Sequence, residues 1–188
     1  LFAASASAQD DTIQVESLRP VDPISVGILS QSEGGLPNSL WQGTSAELAR
    51  EAMSRAPTDS QSPAVNRLVA KALLSGGEPP SGGDGELLAV QRIQTLTQSG
   101  FAAQAAELAA RTPDIGNRAD LAEAQATGEL MAGDLVAACN TAETLREGRE
   151  APFWLRLRAV CLAGAGETGR ADLTARLARE QGESAQFE

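Results

Sequence analysis

A chain of 188 residues with a net charge of −10 lacks the clustered cations that a nucleic-acid backbone demands. It has no histidine and no tyrosine, which rules out Ser-His-Asp and Cys-His relays, histidine metal sites and histidine pH switches. With 42% apolar but only 3% aromatic residues, its core has to come from alanine, leucine and valine, a composition that suits closely packed helices better than sheets.

The chain opens Leu1-Phe2-Ala3-Ala4-Ser5-Ala6-Ser7-Ala8, followed by Gln9. Ala6-Ser7-Ala8 has the small-x-small form that signal peptidase cuts, so residues 1–8 are expected to be a signal-peptide remnant and the protein periplasmic or secreted. Lys71 is the only lysine, which reads as a bias of genome composition and not as a phosphate-binding device. No run of about 18 apolar residues occurs, so no membrane span is expected.

Residues 9–35, with Pro20, Pro23 and Gly34-Gly35, read as an extended leader. Residues 36–75 read as a helix pair. Its first helix starts near Thr44, three residues before Glu47 in a capping-box arrangement, with Leu48, Ala52 and Met53 on one face. The second starts at Ser62-Pro63 and turns Val65, Leu68, Val69, Ala72 and Leu73 inward. Residues 76–85, rich in glycine and proline, are expected to be a linker or mobile loop.

From residue 86 to 182 an internal repeat of 33 residues appears. Gly100, Gly133 and Gly166 are in step, as are Ala105, Ala138 and Ala171, and Ala109, Ala142 and Ala175. Leu88, Leu121 and Trp154 align too, as do Ile93, Ala126 and Ala159. Each glycine is expected to end a first helix in the left-handed conformation, and each alanine column to open the inner face of a second helix. The predicted helices are 86–98 and 101–111, 118–131 and 134–147, and 152–164 and 168–181, with residues 183–188 as a tail. The fold class is therefore all-α, antiparallel helix pairs stacked as a short α-solenoid.

Over residues 86–182 the chain resembles the tetratricopeptide repeat family. Ala126 and Ala159 match that pattern's eighth position, Gly133 and Gly166 its fifteenth, Ala138 and Ala171 its twentieth, and Ala178 its twenty-seventh. It departs where the family's tyrosine stands, which is held here by Leu96, Glu129 and Leu162. Residues 35–45 and 152–166 are also similar to an uncharacterised family of exported proteobacterial proteins, a resemblance that implies no activity.

Several features invite a chemical reading. Gly164-Ala-Gly-Glu-Thr-Gly169 matches G-x-G-x-x-G, but the preceding segment has helical period where a dinucleotide site needs a strand, so an interhelical turn is expected. Asp120 with Glu123, and Glu143 with Glu147, share helix faces and are the carboxylate pairs a hydrolase would need, though such pairs are usually solvated. Cys139 and Cys161 fall on helices that neighbour each other in a solenoid, so they form either a disulfide or two buried thiols, and an oxidising compartment favours the bridge. Trp41 and Trp154 are either core residues or anchors for a partner.

No catalytic, cofactor or metal residues are assigned. The function expected is that of a periplasmic scaffold or adaptor binding a protein or peptide of the cell envelope. The alternatives are a carboxylate-dependent glycan hydrolase and a structural accessory subunit without a ligand groove.

Overall fold

The computed structural model describes residues 21–58, 60–83 and 85–184. The proposed signal-peptide remnant and the first half of the leader lie outside them. The described residues form eight α-helices: α1 (Ala46–Ser54), α2 (Pro63–Leu74), α3 (Gly85–Gln98), α4 (Ala102–Ala110), α5 (Ala119–Met131), α6 (Leu135–Thr144), α7 (Pro152–Gly164) and α8 (Thr168–Ser184). Extended pairing among them is limited to two isolated bridges, Leu29 with Ser75 and Ser45 with Ser81. Consecutive helices from α3 to α8 pack on one another, and α3 also packs on α5. The fold is all-α, built of stacked antiparallel helix pairs.

The three glycines in step occupy one structural position. Gly100, Gly133 and Gly166 have φ of +85°, +83° and +80°. In each turn the glycine N–H donates three residues back, to Thr97, Leu130 or Ala163. The next residue, Phe101, Asp134 or Glu167, donates five back, to Leu96, Glu129 or Leu162. This pair of bonds is the Schellman closure, and it satisfies carbonyls that a helix end would otherwise leave bare. Ala105, Ala138 and Ala171 are buried beyond these turns, as are Ala109 and Ala142, so small side chains stand where second helices press against first ones. Two apolar clusters result. One joins Ile24, Met53, Leu73, Leu88, Ile93, Leu96, Leu108 and Leu121 across the N-terminal helices. The other gathers alanines of α5 and α6 around Leu145, Trp154 and Leu157.

The N-terminal part differs from expectation in three respects. First, the cap of α1 is Ser45, whose hydroxyl accepts from Leu48 N at 3.2 Å, and not Thr44. Packed on α3, the helix turns Ala46, Ala49 and Met53 inward and leaves Leu48 60% exposed. Second, α1 and α2 do not pack chiefly on each other. The first rests on α3, and the second touches α3 and α4 with Ala70, Leu73 and Leu74, so Leu68 stays 62% exposed and Val65 is exposed as well.

Third, part of the described leader joins the core. Pro23–Ser25 is a 3-10 turn capped by Asp22, and it packs Ile24 against α3. Residues 76–83 of the expected linker, with Leu74 just before them, are tied to neighbouring strips by backbone hydrogen bonds. Ile28 N and Leu29 N donate to Leu74 O, Gly77 N to Ser25 O, Glu78 N to Asn38 O and Ser81 N to Thr44 O. The two strips approach so closely that a Cβ on Gly27 would lie 2.0 Å from Gly76 N. Glycine is required there for backbone proximity, which is a different use from the linker flexibility its density implied.

Candidate functional site

Where first helices lie side by side they enclose a cleft. Helix α3 turns Leu88, Ala89, Arg92, Ile93 and Leu96 into the core, so its opposite face presents Gln94, Thr97 and Gln98. Helix α5 buries Leu121, Ala122, Gln125 and Ala126 and presents Asp120, Glu123 and Thr127 to the same space. The cleft measures about 320 Å³, with Val90 and Ala124 as its apolar floor. Burial, and then the neighbouring Asp120 carboxylate, hold the Glu123 carboxyl above the ordinary glutamate range. Amides, hydroxyls and two carboxylates on parallel rails offer donors and acceptors to an extended backbone and negative charge to a basic side chain. Spacing of three and four residues opposite the apolar stripe was the sequence signal for Gln94, Thr97 and Gln98, and the sequence reading did not single them out.

The other expected residues fall as follows. Cys139 and Cys161 form a disulfide between α6 and α7, with Cα atoms 5.8 Å apart. Trp154 is 1% exposed in the second cluster, edge-to-face on Phe153 with ring centroids 5.0 Å apart. Trp41 is half-buried against the first cluster, beside an apolar cleft of about 280 Å³ that includes Met53, Pro57, Val69 and Leu73. Its Nε1–H is buried and donates to no protein acceptor. Glu143 lines a cleft beside the disulfide, and Glu147 is exposed.

The G-x-G-x-x-G string is an interhelical turn. Gly164 ends α7, Gly166 closes the turn and Gly169 lies in the first turn of α8. A helix precedes it, so its amides are not arranged to cradle a pyrophosphate.

A buried polar knot links α5 to α6. Gln125 Nε2 donates to Glu129 Oε1 at 2.7 Å, and Thr141 Oγ1 donates to Glu129 Oε2 at 2.8 Å. Glu129 is buried, so its carboxylate is held between the two helices with its hydrogen-bond donors.

Among the described residues no three His, Cys, Asp or Glu side chains gather as a metal site, and no helix is long and apolar enough to cross a membrane. No protein-family profile, curated protein or solved structure matches the chain.

Proposed function

We propose that this chain is an exported, non-catalytic helical-repeat scaffold of tetratricopeptide type that binds a protein or peptide partner of the cell envelope. The observation that carries this reading is the polar cleft between α3 and α5, whose Gln94, Thr97, Gln98 and Thr127 suit a peptide backbone. Asp120 and Glu123 favour a basic side chain on that peptide. Stacked helix pairs offer extended surfaces on which partners bind. Export is supported by Ala6-Ser7-Ala8 and by the disulfide, since such bridges persist in oxidising compartments.

The test places a photocrosslinking residue at Gln94, Gln98 or, as a remote control, Arg67, and irradiates each in envelope extract. The expected result is one discrete adduct from the cleft positions, absent from Arg67 and lost with Glu123→Arg. Equal labelling from all three positions, or none from the cleft, overturns the reading. The hydrolase alternative rests on the Asp120–Glu123 pair. Release of glycan fragments by the purified protein, abolished by Glu123→Gln, would replace the scaffold with an enzyme.

A further inference from the structure

The Cys139–Cys161 bridge forms part of the wall of a second cleft, of about 430 Å³, bounded by α6, α7 and α8. Three arginines converge on it: Arg149 from the α6–α7 connection, Arg158 from α7 and Arg170 from the start of α8. A chain carrying a net charge of −10 has no general excess of cations to scatter there. Two carboxylates also line the cleft. Glu167 is paired with Arg170, and Glu143 lies on α6.

The other two guanidiniums have no carboxylate among their hydrogen-bond partners. Arg149 Nη1 donates to Leu145 O at 3.0 Å, and Arg158 Nη2 donates to Arg149 O at 3.2 Å. Arg158 Nε–H is buried and donates to no protein acceptor. Burial, and then the Arg149 charge, lower the Arg158 pKa, with Glu150 compensating only in part. A buried donor without an acceptor, beside a second like charge, is unfavourable in the empty protein. An anion with several acceptor oxygens removes both penalties at once.

We propose that this cleft binds a phosphate-class dianion, gripped by the guanidinium forks of Arg158 and Arg149 with Arg170 at its rim. Guanidinium forks match the oxygens of a phosphate in paired hydrogen bonds, and Arg149 and Arg158 have no carboxylate partner to compete with it. The cleft has room for more than a bare ion, so a small phosphomonoester fits it. The disulfide ties α6 to α7 and so presets the distance between the walls, which lowers the ordering cost of binding. This site is separate from the α3–α5 cleft, and neither depends on the other.

The test follows arginine Nε–H resonances of the full oxidised chain during titration with inorganic phosphate, glycerol 3-phosphate and acetate at constant ionic strength. Both phosphates are expected to shift the Arg158 Nε–H, and acetate to shift it far less. Arg149→Gln, a change at an exposed residue, should weaken phosphate binding about tenfold, as loss of one charge-assisted contact implies. Arg158→Lys keeps the charge without the fork and should weaken it too, with its melting temperature recorded to exclude unfolding. Arg67→Gln on α2 should bind as the wild type does. Tighter binding of the ester identifies an organic phosphate as the ligand, and equal affinities identify the free ion. An unmoved Arg158 resonance with both phosphates, acetate equal to phosphate, or an Arg149→Gln protein that binds normally overturns the site.

Discussion

Arg92 Nη1 donates to the carbonyl oxygen of Ile24 at 3.0 Å, joining residues 68 positions apart. The same guanidinium donates to Val26 O at 2.7 Å, Ser75 O at 2.8 Å and Leu73 O, so a cation that is 1% exposed sits in a cage of four backbone carbonyls. Burial lowers its pKa to about 10, which still leaves it charged at neutral pH. The cage ties the leader and the glycine-rich strip to α3. Arg92→Met is therefore expected to destabilise the protein by about 3 kcal/mol, because four carbonyls lose their donor in the interior. Urea unfolding measures that loss, and limited proteolysis should find residues 21–29 newly cut. A variant as stable as the wild type would show that water replaces the guanidinium without penalty.

Gly27 and Gly164 predict opposite outcomes for one substitution. A Cβ on Gly27 would fall inside contact distance of the Gly76 backbone, so Gly27→Ala must push the two strips apart. Gly164 lies in α7 with open space where a Cβ would go, so Gly164→Ala should stabilise by about 0.5–1 kcal/mol through helix propensity. Thermal unfolding of the pair should give shifts of opposite sign.

The disulfide closes a loop across 22 positions, from inside α6 to inside α7. Loop closure on that scale contributes about 3 kcal/mol, which corresponds to roughly 6–12 °C in melting temperature for a domain of this size. The oxidised protein should show no titratable thiol, and reduction should lower its melting temperature by that amount. Cys139→Ser with Cys161→Ser should weaken the fold and leave the α3–α5 cleft intact, since neither cysteine touches it.

The repeat was legible because its constraints are local. A glycine at a helix end and an alanine one turn into the next helix leave the same mark in every unit. The Arg92 cage was not legible in that way, because its acceptors lie on two distant strips. One signal was available: Arg92 stands four residues after Leu88 and four before Leu96, in the middle of the buried stripe of α3. A charged residue in that register predicts a buried partner. Glycine density between residues 75 and 85 misled for the opposite reason. Flexible linkers and tight backbone contacts both select glycine, and only the partner strip, which carries Gly27, tells them apart. The α3–α5 cleft was half legible. The Asp120–Glu123 pair was seen as one helix face, but the wall opposite was visible only once α3 lay beside α5.

The last prediction concerns Glu123, whose folded-state pKa is raised by burial and, to a smaller extent, by Asp120. A raised carboxyl value means that the folded state holds its proton more tightly than the unfolded chain does. Its stabilising contribution is therefore present below the unfolded pKa and is lost as pH rises through the folded one. At neutral pH the ionised Glu123 is a liability, and Glu123→Gln should melt higher than the wild type. At a pH below the unfolded glutamate value the two proteins should melt alike, because both then carry an uncharged group. Asp120→Asn should bring the Glu123 titration only part of the way back, since burial is the larger cause, and carbon-detected NMR of the carboxyl resolves this. Complete recovery would make Asp120 the dominant influence. The same linkage reaches the proposed partner. A basic side chain seated in the cleft favours the ionised carboxylate, so its binding should release a proton and weaken as pH falls through the free-state value. Affinity that stays flat across that interval would place the basic group elsewhere.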